Sequence, residues 1–140
     1  MKQLALIGLS AMLAACSQNG QPKPGDVPNY AGIGESETIH LLGTEPFWSM
    51  QIEHGMLTYT TPENMDGSNA AVTRFAGNGG LGFSGTLDGK LLQIAVTPGD
   101  CSDAMSDRTY PFVATVTLGD EMLTGCGYSS AHPFSGEEHP

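Results

Sequence analysis

The sequence predicts an all-β fold: a small antiparallel meander barrel, or a sandwich, of seven to eight strands with one disulfide. From Thr38 onward, apolar and polar residues alternate in short runs, a pattern typical of strands. The 140-residue chain contains nineteen glycines, several of them in turn dipeptides, and no helical period extends beyond a turn or two. We favour a barrel because closure removes the exposed edges that so short a chain can hardly cover.

The predicted strands show which residues should face the core. In chain order they are 47–53, 56–61, 72–75, 81–87, 91–96, 111–118 and 122–126. In the first strand Trp48, Met50 and Ile52 share one face, as expected for a strand that is buried on one side. The same alternation places Phe112 and Val116 together in the strand 111–118.

Turn residues predict how the strands are joined. His54-Gly55, Asp88-Gly89 and Gly119-Asp120 are two-residue sequences suited to tight hairpins. Gly77 to Gly80 interrupts the pattern between two strands. Residues 63–69 follow Pro62 and have no apolar period, so we expect an exposed loop there.

The N-terminus has the organisation of a lipoprotein signal peptide. Lys2 is followed by an apolar stretch, and Leu13-Ala14-Ala15-Cys16 places small residues before a cysteine. The stretch is shorter than the roughly 20 residues that span a bilayer. We expect cleavage after residue 15 and lipidation of Cys16, which would anchor the chain to a membrane. The alternative is an ordinary secretory signal followed by an incidental cysteine.

Composition predicts the remaining boundaries. Residues 16–36 are rich in Gly, Pro, Gln and Ser and predict a lipidated N-terminus followed by a flexible tether. Residues 37–127 are expected to form the barrel, and 128–140 a disordered tail. Ser17 follows the lipidated cysteine. This N-terminus resembles those of Gram-negative lipoproteins, in which such a residue usually permits sorting to the outer membrane, so we expect a lipid-anchored envelope protein that faces the periplasm.

The charge balance excludes one class of partner. After removal of residues 1–15, four basic side chains remain against fifteen carboxylates, a side-chain charge of about −11. No basic face is available to neutralise phosphates, so we expect no nucleic-acid partner. A cationic protein is a candidate partner, and the alternative is that the charge only keeps the protein soluble.

The two remaining cysteines favour a disulfide. With Cys16 lipidated, Cys101 and Cys126 are left in a compartment that is oxidising if the signal peptide is interpreted correctly. Closing a loop of about 25 residues would stabilise the fold by about 3.5 kcal/mol in the chain-entropy model. The alternative is a pair of metal-binding or redox thiols, although their spacing is not C-x-x-C.

Two segments are richer in reactive and polar side chains than connecting loops require. They are G-T-E-P-F-W at residues 43–48 and C-S-D-A-M-S-D-R-T-Y-P at residues 101–111. They resemble the motifs G-T/N-E-P-F-W and C-x-D-G-M-S-D-R-x-Y-P of a family of uncharacterised small bacterial lipoproteins and membrane-associated proteins. The resemblance covers residues 43–127 and implies no established activity. Ala104 stands where that family has glycine, and it would be strained if the position needs positive φ.

The first segment predicts structural roles. Pro46 should fix the entry to the strand that Phe47 begins, and Trp48 is large enough to fill the core of a barrel. Glu45 is the exception in this segment, because its carboxylate could pair with Arg108 of the second segment. The second segment is a candidate binding loop, with Ser102, Asp103, Met105, Ser106, Asp107, Arg108 and Tyr110 as its residues.

The serines and aspartates of the candidate binding loop also raise a calcium hypothesis. The loop lacks the full calcium-loop pattern, and such clusters more often cap turns through side chain to backbone hydrogen bonds. We therefore predict turn capping, with no metal and no cofactor.

For catalysis the four histidines are scattered and no nucleophile or phosphate-loop motif is present, so we expect no enzyme. The predicted function is a non-catalytic binding or structural lipoprotein of the cell envelope. The alternative is an inhibitor of a basic envelope-attacking enzyme such as lysozyme, by architectural analogy with small disulfide-bonded barrel inhibitors.

Overall fold

The computed structural model describes residues 29–137, which form an eight-stranded antiparallel closed barrel. The strands are β1 (Ile39–Thr44), β2 (Phe47–Glu53), β3 (Met56–Thr61), β4 (Asn64–Ala76), β5 (Leu81–Leu87), β6 (Lys90–Cys101), β7 (Tyr110–Leu118) and β8 (Glu121–Ser129). Each strand pairs with its neighbour in sequence, and β1 pairs with β8 to close the barrel. The predicted all-β fold and its disulfide are confirmed, and of the two predicted architectures the barrel is the observed one.

The barrel core follows the alternation that the sequence predicts. Trp48, Met50 and Ile52 of β2 are buried, and the residues between them are exposed. Strand β7 buries Phe112 and Val116 on the same principle. Burial of each such side chain contributes about 1.5–3 kcal/mol to the free energy of unfolding, so these inward rows hold the barrel together.

Hairpin turns adopt the conformations that their dipeptides favour. Both residues of His54-Gly55 and of Asp88-Gly89 have positive φ, between 48° and 79°, as in type I′ turns. Gly119, with φ 61°, precedes Asp120 between β7 and β8. Since hairpin turns of a meander alternate between the two ends of a barrel, the β1–β2 and β3–β4 turns lie at one end. The β2–β3 and β4–β5 turns lie at the other.

The predicted exposed loop at 63–69 is wrong, because strand β4 begins at Asn64 and Thr61 pairs with Asn64. A register shift between Tyr59 and Thr61 accompanies this pairing. No residue from 64 to 69 is fully buried, so the segment has no inward row of apolar side chains to produce a period of two. Backbone pairing with β3 forms this part of the strand, although its sequence has no alternation of apolar and polar residues.

The N-terminal segment packs against the barrel before the predicted boundary at residue 37. Ile33 is 1% exposed and belongs to the core cluster, and Tyr30 packs against that cluster. The main chain of Tyr30 donates to Gly77 O at 2.6 Å, and Arg74 Nη2 donates to Ile33 O at 2.6 Å. Two apolar residues thus tie residues 30–36 to the barrel, although their Gly- and Ser-rich surroundings predict a tether.

The C-terminal segment is also folded past the predicted boundary at residue 127. Strand β8 continues to Ser129, and Thr109 and Ser135 exchange two main-chain hydrogen bonds of 2.9 Å. Phe134 packs against Tyr110 and Tyr128, with ring centroids 5.5 and 5.2 Å away. Residues 128–137 therefore form part of the domain instead of a disordered tail.

Several sequence predictions lie outside the described residues. They concern the signal peptide at 1–15, Cys16, the tether from 17 to 28, and residues 138–140. Within residues 29–137, no helix has the length and apolar character needed to cross a bilayer.

Candidate functional site

The two motif segments, about 60 residues apart in sequence, meet in space. The hydroxyl of Thr44, at the end of β1, donates to the main-chain oxygen of Asp103 at 3.0 Å. The predicted disulfide joins Cys101 to Cys126 of β8, with the Cα atoms 5.5 Å apart. Because Cys126 pairs with Leu42 of β1, the disulfide holds the start of the loop beside the first motif.

Asp103 organises the candidate binding loop. Its carboxylate accepts hydrogen bonds from Met105 N at 3.0 Å, Ser106 N at 2.8 Å, Ser106 Oγ at 2.8 Å and Tyr110 Oη at 3.2 Å. Ser102 Oγ likewise accepts from Ala104 N at 3.1 Å. The predicted turn capping is confirmed, and it uses the acceptor sites on which a calcium ion would depend.

These bonds also set the charge of Asp103. Desolvation by itself raises the pKa of this carboxyl group, but the hydrogen bonds from Met105, Ser106 and Tyr110 together lower the pKa to about 2. Asp103 is therefore ionised throughout the neutral range, and its negative charge is shared with the donors of its own loop.

The backbone at Ala104 has a conformation that favours glycine. Its φ is 61°, in the left-handed region that glycine adopts without penalty. Ala104 is thus a strained residue of the loop, next to Met105. Hydrogen bonds flank this position: Ala104 N donates to the hydroxyl of Ser102, and Met105 N donates to the carboxylate of Asp103.

The remaining loop residues divide between packing and exposure. Tyr110 is buried, and the guanidinium of Arg108 lies over the ring of Phe134, 4.4 Å from its centroid. Asp107 is exposed. The pairing of Arg108 with Glu45 stays a prediction.

The first motif turns the chain so that one aromatic side chain faces out and the next faces in. The Glu45–Pro46 peptide bond is cis, and both residues are exposed at the turn. Phe47 is half exposed, whereas Trp48 is buried in the core cluster, as predicted for a core-filling residue. The indole lies so close to Gly43 that a Cβ there would overlap it. Trp48 Nε1 is buried and has no acceptor within residues 29–137.

A groove of about 460 Å³ opens where the two motifs and the tip of the β3–β4 hairpin meet. We call it the motif groove. Its lining residues come from three segments: Leu42, Gly43, Thr44, Phe47, Trp48 and Ser49; Thr60, Thr61, Pro62 and Met65; Asp103, Met105, Arg108 and Tyr110. Three of them are large apolar side chains that are mostly exposed, namely Phe47, Met65 and Met105. The groove therefore offers an apolar surface without a partner among residues 29–137.

Sequence reasoning missed the contribution of the β3–β4 hairpin. Pro62 and Met65 line the motif groove, yet residues 63–69 read as a featureless exposed loop. The available signal was Met65 itself, a single large apolar side chain among polar residues that nothing in a solvated loop would require.

A second polar cluster joins the two ends of the domain. Ser129 Oγ donates to Glu37, and His132 Nδ1 lies 3.1 Å from Ser129 Oγ and 3.2 Å from Glu37 Oε2. In a catalytic triad the serine and the acid contact opposite nitrogens of the imidazole, whereas here both contact Nδ1. Ser129 is also buried. The cluster therefore fastens the N- and C-terminal segments to each other.

No metal site accompanies these clusters. Within residues 29–137, no group of three or more His, Cys, Asp and Glu side chains is placed to hold an ion. Across the described part of the chain, the site is thus an apolar groove bounded by a disulfide-held, aspartate-capped loop.

Comparison with known proteins identifies no relative of this chain. No family model, no curated protein and no solved structure matches this chain. Fold and site therefore define only a class, a small disulfide-bonded eight-stranded β-barrel with an apolar surface groove. The likeness to the uncharacterised lipoprotein family stays an expectation from its two motifs.

Proposed function

We propose that this chain is a membrane-anchored lipoprotein of the cell envelope whose barrel is a non-catalytic binding domain. The observation that carries the proposal is the motif groove, in which Phe47, Met65 and Met105 are left exposed together. Contiguous exposed apolar side chains on a soluble domain usually mark a surface that another molecule covers.

The chemistry of the groove supports binding over catalysis. The acid that lines it, Asp103, is occupied by four hydrogen-bond donors of its own loop. A general base needs a carboxylate that can reach a substrate proton, and a strongly lowered pKa makes it a weak base. The loop's polar groups thus maintain the shape of the groove, while its apolar side chains face outward.

The binding proposal is tested by photo-crosslinking in intact cells. A photoreactive amino acid is placed at Met105, which is 64% exposed in the groove, and separately at Met122, which is 70% exposed on β8 outside it. We expect a discrete crosslinked species from position 105 and none from position 122. Identical patterns, or none at either position, would contradict a binding role for the groove.

The anchor is proposed on the sequence of residues 1–16. Lys2, the short apolar stretch and the small residues before Cys16 support lipidation. The test is labelling with a palmitate analogue and membrane fractionation of wild type and Cys16→Ser. The label should be lost in the variant, and a retained label would refute lipidation at Cys16. Ser17→Asp, which keeps Cys16, should stay lipidated and move from the outer to the inner membrane.

A second candidate function is inhibition of a cationic envelope-attacking enzyme such as lysozyme. It is supported by the charge of about −11 on the mature chain and by exposed acidic residues next to groove-lining residues in sequence, including Glu45 and Glu63. The test is a lysis assay with and without the chain from residue 16 onward carrying Cys16→Ser, which lacks both the signal peptide and the lipid attachment site. Undiminished lysis at micromolar protein would remove this candidate.

A further inference from the structure

The surroundings of the motif groove limit what can cover it. Its exposed apolar side chains come from three separate segments: Phe47 from the start of β2, Met65 from β4, and Met105 from the loop. Methionine side chains are flexible and adapt to differently shaped partners. A groove of about 460 Å³ has room for one or two large apolar side chains of a partner, not for a domain-sized surface.

The positions around this apolar surface are predominantly acidic. Four exposed carboxylates lie directly next to lining residues in sequence: Glu45, Glu63, Asp66 and Asp107. Arg108 is the cation among these positions, and its guanidinium lies over Phe134. The carboxylates come from all three segments that form the groove and are exposed, so an approaching ligand meets a negative electrostatic potential.

We propose that the motif groove binds a cationic amphipathic peptide segment, with apolar side chains inserted against Phe47, Met65 and Met105. Lysine or arginine side chains of the segment flank the insertion and pair with the surrounding carboxylates. The proposal rests on the binding function proposed above and names its partner class. A neutral apolar ligand would leave the carboxylates unused, and an anionic one would be repelled by them.

Trp48 gives the proposal a built-in reporter. It is the single tryptophan of the chain, and it lines the motif groove while its indole is buried. A ligand that displaces water from the groove changes the surroundings of this one fluorophore. Binding elsewhere on the barrel leaves them unchanged.

The experiment uses the chain from residue 16 onward with Cys16→Ser and three synthetic peptides of about 14 residues, long enough to form an amphipathic helix on a partner. One is built from leucine and lysine, one from leucine and glutamate, and one from serine and lysine. Anisotropy of a dye on the peptide measures affinity, and Trp48 emission reports the location. We expect the leucine–lysine peptide to bind with micromolar Kd and to shift Trp48 emission. Both other peptides should bind at least about tenfold more weakly.

Variants separate the groove from general attraction. Met105→Ser should weaken binding of the leucine–lysine peptide by about fivefold or more, whereas the matched Met122→Ser should leave it unchanged. Circular dichroism checks that both variants keep the barrel. Equal binding of the serine–lysine peptide, or equal effects of the two methionine variants, would overturn the proposal.

The outcome also separates this inference from the function on which it rests. If no cationic peptide binds but crosslinking at position 105 still captures a partner, the groove is a binding site for a different class of ligand and only the present inference fails. If crosslinking at position 105 fails as well, both fail.

Discussion

Asp103 shows how one side chain can shape a surface loop without touching a ligand. Its carboxylate accepts from the main chain of Met105 and from both the main chain and hydroxyl of Ser106. It also accepts from the buried hydroxyl of Tyr110, which ties the loop to the base of β7. Met105 owes its outward position to this anchoring, because its own amide is one of the groups held.

Asp103→Asn should therefore destabilise the domain in a pH-dependent way. The folded-state pKa of about 2 lies below the ordinary value of 3.8, so the stabilisation is full above about pH 4 and is lost as the pH falls toward 2. At pH 7 the variant should have a lower Tm than wild type, since an amide accepts these bonds less well than a carboxylate. Near pH 2 the two curves should converge.

The measurement is thermal unfolding followed by circular dichroism at pH 7, 4 and 2. Asp107→Asn is the matched control, since Asp107 is exposed on the same loop. It should change Tm little. Wild type and both variants should all lose some stability in acid because of Glu37. Burial alone would raise the pKa of Glu37, but hydrogen bonds from Ser129 and Gly34 lower it. A Tm difference for Asp103→Asn that is constant from pH 7 to 2 would contradict this account.

Ala104→Gly should stabilise the domain. Left-handed backbone costs alanine about 1–2 kcal/mol, and glycine returns about 0.5–1 kcal/mol of this as extra unfolded-state entropy, which leaves a net gain of about 0.5–1 kcal/mol. The Tm should rise by a few degrees. Ala95→Gly, at an exposed position of β6, serves as the opposite control and should lower Tm. A fall in Tm for Ala104→Gly would show that the loop does not hold this φ.

At the scale of elements, the packing of β1 against β2 requires that residue 43 have no side chain. Gly43 pairs with Trp48, and a Cβ at Gly43 would overlap the indole ring. Gly43→Ala should therefore cost about 1–3 kcal/mol and alter Trp48 fluorescence in the folded state. Gly79→Ala is the matched control, because a Cβ there meets nothing within 4 Å. Urea unfolding checks both, and equal midpoints for the two variants would refute the steric argument.

The elements that could be predicted from sequence are those with one buried face. Strand β2 can be predicted because Trp48 and Ile52 alternate with exposed residues. The start of strand β4 cannot be predicted in this way, because residues 64–69 lack an inward apolar row and are paired through their backbone. The terminal segments were missed for a different reason: single side chains such as Ile33 and Phe134 fix them, and composition averages over such residues.

The candidate site was predictable in its parts but not in its assembly. Both motifs stood out in the sequence, and the capping role of Asp103 followed from its residue type and neighbours. Their meeting depends on strand register and on the closure of β1 against β8, which brings Cys126 beside Leu42. Long-range register is not encoded in local alternation, so Met65 stands out in the sequence as an apolar residue, but its place in the groove cannot be predicted from it.

At the scale of the whole molecule, the disulfide should supply a large share of stability. It joins Cys101 and Cys126, 25 residues apart, across the segment that contains the loop and β7. The double variant Cys101→Ser/Cys126→Ser should lose about 3.5 kcal/mol of unfolding free energy, measured in urea. Reduction of wild type with dithiothreitol should give the same loss and leave the double variant unaffected. A loss below about 1 kcal/mol would contradict the chain-entropy estimate.

The packing of residues 30–36 fixes the end of the barrel at which the chain enters. Tyr30 bonds to Gly77 in the β4–β5 turn, so the chain enters at the end that carries the β2–β3 and β4–β5 turns. The β1–β2 and β3–β4 turns, which contribute Phe47 and Pro62 to the motif groove, lie at the opposite end, and the β6–β7 loop with Met105 reaches them from the entry end. With Cys16 anchored as proposed, the tether joins the barrel at this end. The side of the motif groove formed by Phe47 and Pro62 would then lie away from the point at which the tether joins.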